Sequence, residues 1–283
     1  MTRVMLKKNL SAEQTDRWFS PNIWGDCPVE AILFGTVPGK FFQDDFIGPC
    51  PNVAAGATGT AGLSGGLGYL FYGDTGVTMK AQAGAEEGVL EVANNDADND
   101  EGIISTGSPA FVVDDSDPKK LWFEARVKKA SIADNALAMF IGLGWDHGNG
   151  VSLAKANCLT DNDGALGAFS FLGFHVDNGD GDALNFVYKA DGQSQVDAIA
   201  GVDTLEADTW VKLGFVYDPH APDDKKIAVY INNVEQSTYI TATNIAAATF
   251  PDAEPMAMLW ATKVGTAAES KAQLDWWRCA QLG

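Results

Sequence analysis

The stretch from Trp210 to Gln236, WVKLGFVYDPHAPDDKKIAVYINNVEQ, constrains the fold of this chain more than any other. Apolar residues recur with a period of two, so Val211, Leu213, Phe215 and Tyr217 share one side of a strand. Ile227, Val229 and Ile231 share one side of a second. Asn232-Asn233 follows, and asparagine tolerates the positive φ that a tight hairpin demands, so the chain is expected to turn back through Val234-Glu235-Gln236. The connection DPHAPDDKK carries two prolines and a cluster of charge, which places it at the surface.

The same pattern of short β-runs separated by Gly, Asn, Asp and Pro extends from residue 28 to the end, which points to an all-β sandwich or barrel. Expected strands are Ala31–Phe34, Phe41–Ile47, Gly68–Tyr72, Val77–Ala81, Val89–Ala93, Gly102–Ser105, Leu121–Lys129 and Leu137–Trp145. Ala168–Val176, Leu184–Lys189, Trp210–Tyr217, Ile227–Ile231, Met256–Val264 and Ala272–Gln281 complete the set. In LWFEARVKK, Leu121, Phe123, Ala125 and Val127 are expected to face the core, and Trp122, Glu124, Arg126 and Lys128 to face out. Ala136–Trp145 is apolar throughout, as a central strand covered on both sides must be. Ser11–Phe19 is the best helix candidate, with Ser11 and Gln14 forming a capping box and Pro21 ending it. Asn52–Gly66, rich in small residues, reads as a mobile loop. The chain thus divides into an N-terminal arm, residues 1–40, and a sandwich, residues 41–283.

Net charge is −19, a surface that repels nucleic-acid phosphates and anionic membranes. The charge is uneven. Arg3, Lys7, Lys8 and Arg17 outweigh Glu13 and Asp16, so residues 1–17 form a slightly basic arm on an acidic body. Such an arm, which leads to Trp18 and Trp24, is suited to packing against the body, a partner or a neighbouring subunit; a solvated terminus is the other reading. No apolar run follows the basic residues, so no secretory signal is read and the protein is expected in the cytoplasm of its producer. Cys27, Cys50, Cys158 and Cys279 show no C-x-x-C spacing, and with three histidines no zinc set appears. They read as free thiols, with a Cys27–Cys50 bridge as the alternative outside cells.

Four pieces carry a family resemblance. The Trp210–Gln236 hairpin, FQDDFIG at Phe42–Gly48, LWFEARVKKAS at Leu121–Ser131 and KAQLDWWRCAQ at Lys271–Gln281 occur in the order found in concanavalin A-like and laminin-G-like domains, which they resemble. The resemblance implies a jelly-roll β-sandwich whose first and last strands pair in one sheet. The ending KVGTAAESKAQLDWWRCAQLG looks like virion proteins of tailed bacteriophages. That similarity implies a capsid decoration protein: a non-enzymatic homo-oligomer on the virion surface, made in the host cytoplasm and bound to the major capsid protein. The alternative implied by the fold is a lectin-like module that binds a host glycan, with one Ca²⁺ as its sole candidate cofactor.

Retaining glycosidases of this fold supply two close carboxylates from the strand that follows the E-A-R-V-K strand. Here that strand, Ala136–Trp145, has no carboxylate before Asp146. Glu87 and Glu91 are four apart, but Glu86-Glu87-Gly88 reads as a turn. His147, His175 and His220 have no serine or cysteine partner in a catalytic pattern. The chain therefore reads as a non-enzyme. Oxygen-rich turns at Asn94–Gly102, Asp161–Gly164 and Asp177–Ala183 offer the hard ligands calcium prefers, although none is a complete EF-hand loop. A sugar site needs exposed aromatics beside polar groups, whereas Trp122, Trp145, Trp210, Trp260, Trp276 and Trp277 lie mostly on expected strands.

Overall fold

A computed structural model describes residues 18–47, 59–61, 68–82, 88–146, 157–161, 163–266 and 269–283. Its strands are β1 (Gly39–Asp44), β2 (Gly59–Ala61), β3 (Tyr69–Gly73), β4 (Thr78–Ala81), β5 (Leu90–Asn94), β6 (Glu101–Thr106), β7 (Leu121–Lys129) and β8 (Ala138–Trp145). β9 (Ser170–Val176), β10 (Ala183–Lys189), β11 (Val196–Thr204), β12 (Val211–Tyr217), β13 (Ile227–Ile231), β14 (Val234–Glu235), β15 (Ala257–Lys263) and β16 (Ser270–Leu282) follow. Among the described residues the helices are single turns: α1 (Pro21–Trp24), α2 (Val29–Leu33) and α3 (Ala242–Ile245).

The strands form two antiparallel sheets. Sheet A runs β14-β13-β12-β7-β16-β5-β4, with β1 also on β16; sheet B runs β11-β10-β9-β8-β15-β6-β3-β2. β1 pairs with β16 from Gly39↔Leu282 to Asp44↔Trp277, so the first and last strands are neighbours. This is the all-β, concanavalin A-like jelly-roll sandwich expected from the sequence. Its core lies between the sheets, where Phe123 and Phe215 of sheet A stack and Phe186 of sheet B meets Phe215 edge-on at 5.5 Å.

Local chemistry accounts for the details. Asn232 and Asn233 take φ of 48° and 68°, so the β13–β14 turn has the positive dihedrals its asparagines permit. β8 is buried along its whole length because β9 and β15 flank it and both its faces are covered. β16 has a register shift between Leu274 and Trp276, which makes Asp275 an extra residue. The shift resets the alternation, so Ala272 and Leu274 before it and Trp277 and Cys279 after it all reach the core.

Several expectations are corrected. Ala31–Phe34 is not a strand: residues 29–33 make α2, whose buried Ile32 faces the sheet while Leu33 is exposed. Four apolar residues cannot distinguish one helical turn from one short strand. Asn52–Gly66 contains β2, paired with β3; Asn52–Ala57, the rest of that segment and most of the Ser11–Phe19 helix candidate lie outside the described residues. Trp122, Glu124 and Arg126 do point away from the core, yet they are buried: the N-terminal segment lies over Trp122 and Glu124, and Arg126 is covered by the Trp210 ring and paired with Asp275. Among the described residues, no helix is long and apolar enough to cross a membrane.

Candidate functional site

Residues 18–28 cross the outer face of sheet A. Ile23 anchors them: it sits over Gly214, where an added Cβ would lie 2.4 Å from Ile23 Cδ1. With Trp122, Val216, Tyr230 and Ala280 it forms a second, small apolar cluster. Burying such a side chain contributes about 1.5–3 kcal/mol. The other attachments are polar. Asn22 N–H donates to Asn233 Oδ1 (2.9 Å) and Asn22 Nδ2 donates to the Asn233 carbonyl (2.8 Å). Asp26 accepts from Lys120 Nζ (2.6 Å) and from Trp122 Nε1 (2.9 Å). Glu124 Oε2 accepts from Trp24 Nε1 (2.7 Å) and from Ser20 N–H (3.3 Å).

Between this segment and the β12–β13 hairpin lies a cleft of about 320 Å³. Asn22, Ile23, Gly25 and Asp26 form one wall; Val216, Asp218, Ala228, Tyr230, Glu235 and Tyr239 form the other, and Lys120 and Lys225 also line the cleft. Lys120 bridges Asp26 and Asp218, the latter at 2.5 Å. Burial works against charge on both, yet the ion pair outweighs it, so Lys120 is raised and Asp218 lowered from their ordinary ranges. Burial, then the charge of Glu235, pushes Tyr230 up to about 12, and Tyr239 is raised by its hydrogen bond to Glu235 (2.8 Å). Both phenols are neutral at physiological pH. The cleft therefore offers two tyrosine rings, apolar patches from Ile23, Val216 and Ala228, and carboxylate and amide groups able to accept and donate.

Of the arm residues singled out in the sequence, Arg3, Lys7, Lys8 and Arg17 lie outside the described residues. Trp18 is 63% exposed. Trp24 instead packs on the body, edge-on to Phe41 at 6.4 Å and against the Arg278 guanidinium. Arg278 is held between Trp24, Trp276 and Phe19. Its Nε and Nη2 are buried and make no hydrogen bond. Burial raises Glu124 and lowers Arg278, the latter to about 9. None of Asp26, Lys120, Asp218, Tyr230, Glu235 or Tyr239 was picked out as a binding residue by sequence reasoning. The only signal was that several belong to the hairpin that marks the fold.

The outer face of sheet B is covered differently. Glu101, fully buried, accepts from the N–H groups of Asn157 (2.7 Å) and Leu159 (2.6 Å). Its cross-strand partner Lys263 donates to the Leu159 carbonyl (2.9 Å) and pairs with Asp161 (2.6 Å). His175 Nε2 lies 2.8 Å from the Gly164 carbonyl, and Lys189 donates to the carbonyls of Leu166 and Gly167. His175 is thus a buried fastening near the end of β9. His220 is exposed in its loop, and His147 and Glu87 lie outside the described residues. Glu91, on β5, accepts from Gln273 Nε2 at 2.9 Å. β8 presents Ala138, Phe140, Gly142 and Gly144 to this outer face.

The turns considered for calcium satisfy themselves in large part. Asn94 Nδ2 donates to the Asp100 carbonyl (2.8 Å), and Asp177 Oδ1 accepts from the N–H groups of Gly179 and Asp180. Lys129, buried beneath the second of these loops, donates to the Gly181 carbonyl at 2.8 Å, so an ammonium already counters its carboxylates. Burial pulls Lys129 down to about 8 against the attraction of Asp177 and Asp182. Among the described residues, no group of three or more His, Cys, Asp or Glu side chains is placed to hold a metal ion. Cys27, Cys158 and Cys279 are free thiols; Cys50 lies outside the described residues.

No family model and no curated protein matches the chain. Solved structures do. A protein of unknown function, SO2946 from Shewanella oneidensis MR-1, is similar at 15% identity and a TM-score of 0.49, over 90% of this chain and 94% of that one. Peanut lectin with a 9mer peptide is similar at 12% identity and 0.49, over 86% and 97%. An endo-1,3-beta-glucanase from Streptomyces sioyaensis is similar at 12% and 0.48, over 87% and 97%. At these identities and scores, no ligand or activity passes from those proteins to this chain.

Proposed function

We propose that this chain is a carbohydrate-binding module that takes a saccharide in the cleft between the N-terminal segment and the β12–β13 hairpin. The observation that carries the reading is the composition of that cleft: Tyr230 and Tyr239 beside Asn22, Asp26, Asp218 and Glu235, in about 320 Å³. Sugars present apolar C–H faces that stack on aromatic rings and hydroxyls that pair with carboxylates and amides. A glycan array read with and without chelator tests it. Binding is expected to one class of glycans and to be lost in Tyr239→Ala; an empty array in both conditions removes the reading. The chelator decides whether one calcium ion takes part.

A second reading, a capsid decoration protein at the virion surface, is favoured by a separate observation. The described part of the N-terminal arm exposes Trp18, Phe19, Leu33 and Phe34, the last 82% exposed, and it follows a basic stretch in the sequence. Large apolar side chains left in water beside charge are suited to docking on a partner such as a major capsid protein. Many symmetric copies would add avidity to a modest contact. Purified virions are expected to carry the chain at high copy number, and a few copies per particle would sink this reading.

A further inference from the structure

We infer that residues 18–28 are a reversible strap that builds the cleft when docked and dissolves it when released. The inference concerns how the proposed saccharide site is formed and so rests on that reading, but the strap can be tested with no sugar present. One whole wall, Asn22 to Asp26, belongs to the strap, and the other wall stands without it, because Lys120 keeps Asp218 as partner. The strap has little hold of its own. α1 is a single turn with no side-chain cap, too short to be stable alone. Only Ile23 and Ser20 within residues 18–28 are buried; Asn22, Gly25 and Asp26 remain exposed.

Docking also carries a cost that release removes. It seals Arg278 away from water with Nε and Nη2 unpaired, and buried polar atoms without partners are unfavourable. On release, water reaches both. That cost offsets part of what Ile23, the Arg278 ring contacts and a few discrete hydrogen bonds contribute, which brings the docked and free states closer in free energy. By linkage, a ligand in the cleft favours the docked strap, and a partner that captures the strap empties the cleft.

Hydrogen exchange on the full-length protein tests this. The amides of Ile23, Trp24 and Gly25, bonded to the Ser20 and Pro21 carbonyls, are expected to exchange at least about tenfold faster than those of β7 and β12, through local opening. Asn233→Gly keeps the turn, since glycine takes a φ of 68° freely, and deletes the acceptor for Asn22 N–H. Roughly five- to tenfold faster exchange of the three amides should follow, with β7 and β12 unchanged. Asp26→Ala, which loses the bonds to Lys120 and Trp122 without touching the turn, should act likewise and raise the acylation of Lys120. If Ile23, Trp24 and Gly25 exchange in the wild type only as slowly as β7 and β12, the strap has no opening of its own and the inference falls.

Discussion

The two outer faces of the sandwich are covered in opposite ways. Over sheet B, residues 157–167 are fastened by Glu101, Lys263, His175 and Lys189, from four different strands, and each finds a backbone partner in the cover. Over sheet A, residues 18–28 are held by Glu124, by Lys120 through the exposed Asp26 and by Lys212 at the Trp18 carbonyl, and they cover a guanidinium, Arg278, that keeps two unpaired nitrogens. Buried charge fixes a cover in place only when its hydrogen bonds are spent on that cover. The first cover is an integral part of the fold, and the second is an attachment.

Lys263→Ala is the hardest test of that contrast. It removes the donor to Leu159 O and the partner of Asp161, and it leaves Glu101 buried with no lysine opposite. Breaking a buried charged network costs about 3–5 kcal/mol, so thermal unfolding should move down by many degrees or the variant should fail to fold. A loss below about 1 kcal/mol would mean that the sheet B cover is as loosely held as the strap.

Glu101 gives the same cover a pH dependence of known sign. Burial, opposed by Lys263 and two backbone N–H groups, pushes it from 4.5 up to about 7. A folded pKa raised above the unfolded value favours the fold below about 4.5, and that advantage is lost as pH rises through about 7. The contribution between pH 4.5 and 8 is about 3 kcal/mol. Glu101→Gln should flatten that part of the unfolding free energy measured against pH. His175, lowered by its burial, runs the other way: its contribution is present above 6.5 and lost as pH falls, so the glutamine variant should keep an acid-side decline. Identical pH profiles for wild type and Glu101→Gln would refute the assignment.

Periodicity made the sandwich legible because each strand's side chains had only two directions to choose between. β7 and β13 have the ends read from their alternation, and β8 announced its two covered faces by having no polar residue. Periodicity does not say what lies on the far side. Trp122 and Glu124 read as solvent-facing because the segment that covers them is about a hundred residues away in sequence, and Arg126 because its partners Trp210 and Asp275 are likewise remote. β11 was missed for a similar reason: an edge strand with Gly201 at φ 58°, two register shifts and an exposed Asp197 has no alternation to read. The cleft was invisible on the same ground, since its walls come from residues near 25, 120, 217 and 235.

Glu124→Ala should cost less than Lys263→Ala although it removes a residue equally buried. It deletes the acceptor for Ser20 N–H and Trp24 Nε1 and leaves Arg278 without its nearest carboxylate. Were the strap fixed, an unpaired guanidinium in a dry site would cost as much as any broken buried pair. A detachable strap caps the penalty, because the loss cannot exceed the free energy of docking: once the segment leaves, water solvates Arg278. The expected loss is about 1–2 kcal/mol. New chymotrypsin cleavage after Trp24 should accompany it, with β7 and β12 as protected from exchange as before. A fall in stability equal to that of Lys263→Ala, with no new cleavage, would show that both covers belong to one cooperative unit.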